Sequence, residues 1–89
     1  MVAIAELTDR QRLVCLLVSI GLTQKRIANL LDIGVRTVEH EKQLAANLVN
    51  LPTKQLVIWT VENRKQLRAA IKDWSNVPIA VRDLIAARI

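Results

Sequence analysis

The sequence predicts an all-α fold, and its composition together with its helix-ending signals indicates this class. The chain has 89 residues, 52% hydrophobic and 24% charged, which is typical of a folded domain rather than a disordered segment. Two Gly, two Pro and no Phe or Tyr leave little for hairpins or strands, whereas helix-favouring Leu, Ala, Lys, Arg and Gln are abundant. An all-β sandwich is excluded, and the length suits one domain.

The first strong helix signal lies near the amino terminus. Thr8 can cap a helix in which Gln11, three residues later, completes a capping box. Asp9 in the first turn suits the positive end of the helix dipole. We expect this helix to run to about Ser19 and to stop near Gly21, since glycine readily adopts the left-handed conformation that follows a helix.

Two further helices are predicted in close succession. Thr23 caps a short helix that reaches about Leu31. A brief turn, residues 32–34, separates it from a third helix that begins at Val35. This third helix ends near Asn50, because the proline two residues later cannot continue a helix.

The rest of the chain predicts helices out to residue 89. From Lys54 onward, apolar residues return at helical spacing, which predicts one long helix or two abutting helices reaching Trp74. Ser75 or Asn76 then caps a last helix that has Pro78 near its first position. The inward stripe of this helix is predicted to comprise Val77, Val81, Leu84, Ile85 and Ile89.

The third helix carries the most informative pattern. With residues about 100° apart and Val38 at the centre of the buried side, Val35, Ala45 and Val49 lie within about 60° of it. The opposite side collects long or amide-bearing side chains, namely Arg36, His40, Gln43 and Asn47, with Glu39 and Asn50 on its flank. Side chains of these types read base edges in the major groove. A merely solvated helix face is the other explanation of this pattern.

The spacing of the helices and the residues within them favour the first explanation. A short helix, a tight turn and a longer helix with a polar outer side form the layout of a helix-turn-helix. Within this layout the chain reads Leu7-Thr8-x-Arg10-Gln11-x-x-Val14, then Gly21-Leu22-Thr23-x-Lys25-x-Ile27-Ala28-x-x-Leu31-x-Ile33, then Thr37-Val38. This spaced pattern resembles the LuxR/GerE-type DNA-binding domain over residues 7–63, about two thirds of the chain.

The resemblance implies a four-helix DNA-binding domain, residues 1–63, whose third helix enters the major groove and whose fourth mediates dimerisation. Residues 64–89 would form a helix or helix pair outside the family pattern, packed on this domain or on a dimer mate. Together with the polar side of the third helix, the resemblance implies base contacts by Arg36, Glu39, His40, Gln43 and Asn47. It implies phosphate contacts by Thr23, Lys25, Thr37 and Lys54, and dimer contacts by Leu56, Trp59, Thr60 and Asn63.

The expected function is therefore that of a stand-alone, homodimeric transcriptional regulator that binds duplex DNA, with a cytoplasmic, nucleoid-associated location. A net charge of +5 fits a polyanionic partner. One Cys and one His are too few for a zinc site, and no Gly-rich phosphate loop or paired carboxylates indicate an enzyme. We expect no catalytic residue, cofactor, metal, small-molecule substrate or membrane segment.

The alternative is a protein-interaction module on the same fold, binding a transcription component or another protein. Glu39 favours it because a carboxylate repels phosphate unless it accepts from a cytosine amino group. Glu41 and Lys42 also favour it. Lys42 falls about 40° from the centre of the buried side, so it must snorkel or contact a partner. Residues 64–89 also offer a basic series at four-residue spacing, namely Arg64, Arg68 and Lys72. This series is either a solvated helix face or a strip that contacts phosphate or a partner protein.

Cys15 and the two aromatic residues have structural explanations. Cys15 sits in an apolar run, and a free cysteine is among the most buried residue types. Trp59 and Trp74 are expected to pack in the core or at an interface, because base stacking calls for several exposed aromatic residues along a basic groove.

Overall fold

The computed structural model describes residues 3–89. These residues form seven α-helices joined by turns and short non-helical segments, with no strand. The all-α prediction is confirmed, with two helices more than the five or so that the sequence indicated. The helices are α1 (Ala3–Glu6), α2 (Asp9–Ser19), α3 (Gln24–Leu31), α4 (Val35–Leu48), α5 (Thr53–Glu62), α6 (Arg64–Ala70) and α7 (Ile79–Arg88).

Local capping signals predicted the start of α2 and of α3 correctly. The Thr8 hydroxyl accepts a hydrogen bond from the Gln11 backbone N–H at 3.1 Å, and the Gln11 side chain accepts from the Thr8 backbone N–H at 3.0 Å. The Thr23 hydroxyl likewise accepts from the Arg26 backbone N–H at 3.2 Å. Between the two helices, Gly21 has a φ of +87°, the left-handed conformation that its place after α2 predicts.

The tight turn between α3 and α4 is also formed by local backbone conformation. Asp32 ends α3 in the left-handed region, with a φ of 55°. Gly34 precedes α4 in an extended conformation and provides no side-chain cap. At the other end of α4, Asn50 has a φ of 59°, so the break falls where the Asn-Leu-Pro sequence predicts it.

The prediction that this helical region reaches Trp74 is wrong. α5 and α6 are indeed two abutting helices, but α6 ends at Ala70 and the segment that follows is not helical. The reason is a tertiary contact: the Asp9 carboxylate accepts hydrogen bonds from the backbone N–H groups of Lys72 and Asp73, at 3.2 and 3.1 Å. These donors would otherwise continue the helical ladder.

The predicted caps of the last helix are wrong as well. Pro78 is the residue that precedes α7, and no side chain caps this helix. The Ser75 hydroxyl and the Asn76 side-chain amide, the latter at 2.9 Å, donate instead to the Asp73 carboxylate. A local turn around Asp73 therefore uses the side chains that the sequence assigned to the cap.

A single hydrophobic core runs through the molecule, with α2 at its centre against α4, α5 and α6. Cys15, Leu16 and Leu17 of α2 are fully buried, and Trp59 and Trp74 pack against this core half-buried. Residues 64–89 pack on the preceding helices of the same chain, because they contribute Leu67, Ile71, Val77, Val81 and Ile85 to that core.

A buried arginine, which the sequence pattern did not predict, joins α1, α2 and α6. Arg12 is 5% exposed. Its Nε donates to the Ile4 carbonyl at 3.0 Å, and its Nη2 donates to the Ala5 carbonyl at 3.0 Å. Its Nη1 donates to the Ala70 carbonyl at 2.8 Å and to the Asp9 carboxylate at 2.9 Å. This one side chain thus donates hydrogen bonds to backbone carbonyl groups of α1 and of α6.

Candidate nucleic-acid interface

The inner side of α4 is packed and holds this helix in a fixed orientation. α4 lies against α2, α3 and α5. Val38 and Ala45 are fully buried and Val49 is half-buried, as the helical spacing predicts. Val35 is the exception: it was expected inside, but it is the first residue of α4 and is 45% exposed. Ala46, 2% exposed, is buried in addition.

The opposite side of α4 presents polar groups to solvent. Arg36, Glu39, His40 and Gln43 are all exposed and together line one shallow depression of about 390 Å³. Asn47 is exposed too, but it lies at a separate, smaller depression near the end of the helix. Four of the five predicted base-contact residues are therefore brought together on two successive turns.

The charges within this depression are not neutralised by the protein itself. Within residues 3–89 the one ion pair is that between Arg12 and Asp9. The Arg36 guanidinium and the Glu39 carboxylate therefore remain available to an external partner, although they line the same depression. An arginine and a glutamine here could donate to guanine and to adenine, while the glutamate could only accept.

The predicted phosphate-contact residues occupy three helix starts. Thr23 and Lys25 are exposed at the amino terminus of α3, where the helix dipole is positive. Because the Thr23 hydroxyl accepts from the Arg26 backbone N–H, its own hydrogen is directed elsewhere and can be donated. Thr37 is half-buried in the first turn of α4, and Lys54 is exposed at the start of α5.

The net charge of α3 and α4 together is small. Residues 24–48 contain four cations and three carboxylates, a formal charge of +1. The four cations are Lys25, Arg26, Arg36 and Lys42, and the three carboxylates are Asp32, Glu39 and Glu41. Any attraction of a polyanion to this surface therefore depends on where the cations lie rather than on a large overall charge.

Lys42 and Glu41 do not belong to the polar outer side of α4. Both are half-buried. The Lys42 charge lies near enough to Cys15 to favour its thiolate, although burial dominates and raises the pKa of Cys15 to about 12. Half-burial of Lys42 is compatible with either of the two expectations for it, snorkelling or contact with a partner.

Two of the predicted dimer contacts lie inside the monomer, and that prediction is wrong for them. Leu56 and Thr60 are completely buried, because they form the side of α5 that packs on the core. The Thr60 hydroxyl is satisfied locally by donating to the Val57 carbonyl at 2.6 Å. Trp59 and Asn63 are half-buried, and the Asn63 side chain donates to the Trp59 carbonyl at 2.8 Å.

α5 is apolar on its outer side as well, which the sequence analysis missed. Val57, Ile58 and Val61 are 42%, 63% and 45% exposed. The signal was present, since a helix that is apolar around most of its circumference is normally covered on more than one side. On α4, Leu44 and Leu48 are also exposed.

The predicted basic series along residues 64–72 does not form one helix edge. Arg64 is half-buried, and its Nη2 and Nε donate to the Ser19 carbonyl at 2.6 Å and to the Ser19 hydroxyl at 3.2 Å. It therefore satisfies the carboxyl end of α2. Lys72 lies beyond the end of α6, and only Arg68 of the three is an exposed residue within that helix.

The part of the chain that the structure describes shows neither a metal-binding cluster nor a membrane-spanning helix. Across residues 3–89, no cluster of three or more His, Cys, Asp or Glu is arranged to hold a metal ion. No helix in the same range has both the length and the apolar character needed to cross a membrane.

No model of a known protein family matches this chain, and no match is found among curated proteins or solved structures.

Proposed function

We propose that this protein is a helix-turn-helix transcriptional regulator that inserts α4 into the major groove of duplex DNA. The observation that supports this proposal is the two-sided character of α4. Its Val38 side is packed on the core, whereas Arg36, Glu39, His40 and Gln43 share one exposed, unpaired surface. In the groove, Arg36 would donate to guanine, Gln43 would pair with adenine, and Glu39 would accept from a cytosine amino group.

The phosphate contacts would position α4 without reading sequence. Thr23 and Lys25 lie together at the amino terminus of α3, where a hydroxyl, an ammonium group and the helix dipole all favour an anion. Thr37 and Lys54 would add contacts from the starts of α4 and α5. Because the net charge of α3 and α4 is only +1, we expect the salt dependence of binding to reflect these few contacts.

We further propose that the regulator is a homodimer joined through the outer side of α5. Val57, Ile58 and Val61 support this choice, since an exposed apolar surface is a common feature of subunit interfaces. A two-fold dimer of helix-turn-helix units predicts half-sites about 10 bp apart, or a multiple of that spacing. Ile58→Glu should convert a dimer to a monomer in sedimentation, whereas Ala80→Glu, which adds the same charge at an exposed position of α7, should not.

Selection from a random duplex pool, followed by binding at two salt concentrations, tests the DNA-binding proposal. A recurring two-half-site sequence, with affinity that falls steeply between about 50 and about 200 mM salt, would support it. No binding to any duplex at the lower salt concentration would contradict it.

A protein-interaction module is the second candidate function, and Glu39 is the observation that favours it. Its exposed carboxylate lies in the middle of the proposed groove-reading surface, where it repels phosphate unless a cytosine amino group is present. A basic or amide-rich partner protein would tolerate this charge. The same binding experiment separates the two functions, because an interaction module shows no duplex binding at low salt.

A further inference from the structure

A groove between α6 and α7 lies outside the proposed DNA-binding surface. It has a volume of about 660 Å³ and is lined by residues of α6, of α7, of the segment between them and by Ile89 after α7. No residue of α3 or α4 lines it. We call it the α6–α7 groove.

Three cations surround this groove. Lys65, Arg68 and Arg82 are all exposed, and the residues lining the groove include no aspartate or glutamate. None of the three cations joins an ion pair within residues 3–89. The Arg82 Nε donates to the Val77 carbonyl at 3.0 Å, which holds this guanidinium near the groove. Like charges gathered without counter-charges favour an anionic partner.

The lining between these cations is apolar. Trp74 is half-buried, and Ala69 and Ala86 are exposed small residues that leave room beside it. Ile85, 1% exposed, also lines the groove. Cations around an apolar lining distinguish between two kinds of anionic partner. A nucleic-acid backbone would match the cations but leave the apolar surface uncovered, whereas an acidic peptide with an apolar side chain would match both.

We propose that the α6–α7 groove binds an acidic, amphipathic peptide segment of a partner protein. An apolar side chain of the peptide packs against Trp74 in the space beside Ala69 and Ala86. Peptide carboxylates pair with Lys65, Arg68 and Arg82. This interaction goes beyond the proposed function and does not depend on it, since the groove and the polar side of α4 share no residue.

Three short labelled peptides test the proposal by fluorescence anisotropy against the full chain. The first combines aspartate and glutamate with leucine and tryptophan, the second replaces the acids by their amides, and the third replaces the apolar residues by alanine. We expect the first to bind and the other two to bind at least about tenfold more weakly. Failure of the first peptide to bind, or equal binding of all three, would overturn the proposal.

Variants then locate the binding. The double variant Lys65→Gln, Arg68→Gln should weaken the first peptide at least about tenfold, and Ala86→Trp, which fills the groove but keeps its charge, should do the same. The matched control Lys25→Gln, Arg36→Gln removes the same charge from α3 and α4 and should leave peptide binding unchanged. Circular dichroism verifies that each variant is folded.

The remaining outcomes also decide the proposal. If the control lowers affinity as much as the groove variants, the peptide is held by overall charge and the proposal is wrong. If a duplex DNA binds the α6–α7 groove and displaces the peptide, the groove is a nucleic-acid site and the proposal is wrong. The control variant lacks Lys25 and Arg36, which are proposed DNA contacts, and duplex binding through α4 is measured separately with it. Loss of duplex binding can therefore be distinguished from loss of peptide binding.

Discussion

Arg12 and Asp9 form an ion pair, 2.9 Å from Nη1 to Oδ1, that links the start of α2 to the carboxyl ends of two other helices. The arginine donates to carbonyls of α1 and α6, while the aspartate accepts from the backbone of the segment after α6. The carboxyl-terminal segment is therefore anchored to α2 by a polar junction as well as by apolar burial.

Removal of the Arg12 guanidinium should destabilise the fold strongly. Arg12→Met keeps the apolar stem but leaves the carbonyls of Ile4, Ala5 and Ala70 without this donor, and we expect it to cost about 2–4 kcal/mol of unfolding free energy. Arg10→Met, at an exposed position of the same helix, should change stability by less than about 0.5 kcal/mol. Urea unfolding followed by circular dichroism measures both, and equal effects would contradict the structural role.

The same junction predicts a loss of stability in acid. Hydrogen bonds from the Lys72 backbone N–H above all, and from Asp73 and Arg12, lower the pKa of Asp9 against the opposing effect of burial. A lowered pKa in the folded state contributes stability above the unfolded value of about 3.9, and this contribution is lost as the pH falls through the folded pKa.

The measurement is the difference in unfolding free energy between neutral pH and a pH of about 3. Asp9→Asn should lower the stability at neutral pH and lose less on acidification than the parent protein. Asp83→Asn, an exposed aspartate of α7, should follow the parent curve. An Asp9→Asn curve parallel to that of the parent would show that this carboxylate is not linked to folding.

The thiol of Cys15 should report global unfolding. It is fully buried, and burial raises its pKa to about 12, so the reactive thiolate is almost absent in the native state. We expect a thiol reagent to label the native protein only at the rate at which it unfolds, and to label it at once in denaturant. Rapid labelling without denaturant would mean that α2 is not the centre of the core.

The two glycines should respond to substitution with opposite signs. Gly21 has a φ of +87°, so Gly21→Ala should destabilise by about 1–2 kcal/mol even though its side chain would meet open space. Gly34 is extended at the start of α4, and a new Cβ would meet only the Thr37 hydroxyl at 3.8 Å. Gly34→Ser should therefore stabilise, by a few tenths of a kcal/mol, through a new helix cap. Thermal unfolding of both variants measures the difference.

The proposed base-reading and phosphate-binding residues should differ in how their loss depends on DNA sequence. Arg36→Ala or Gln43→Ala should cost about 1–3 kcal/mol on the preferred site and relax the preference there. Lys25→Ala should weaken all sequences alike and reduce the salt slope by about one. Equal loss on every sequence for Arg36→Ala would contradict the role of α4 in reading the groove.

Much of α2, α3 and α4 could be predicted from the sequence because the determinants of these helices are local. The Thr8 and Thr23 caps, the left-handed Gly21 and the turn before Val35 each depend on a few adjacent residues. Helical periodicity also separated the packed Val38 from the exposed polar residues of α4. The dimer contacts of Leu56 and Thr60 were implied by the family resemblance, and they are wrong because these two residues form the side of α5 that packs on the core.

The sequence by itself determined an all-helical chain, where its first three long helices begin, and the polar outer side of α4, because capping and spacing act within one or two turns. Tertiary structure alone decided that α6 stops at Ala70, that Arg12 is buried and that Arg64 closes the end of α2. Each of these depends on hydrogen bonds between residues 45 to 64 positions apart. No local pattern encodes such partners, since they meet only after the helices have packed.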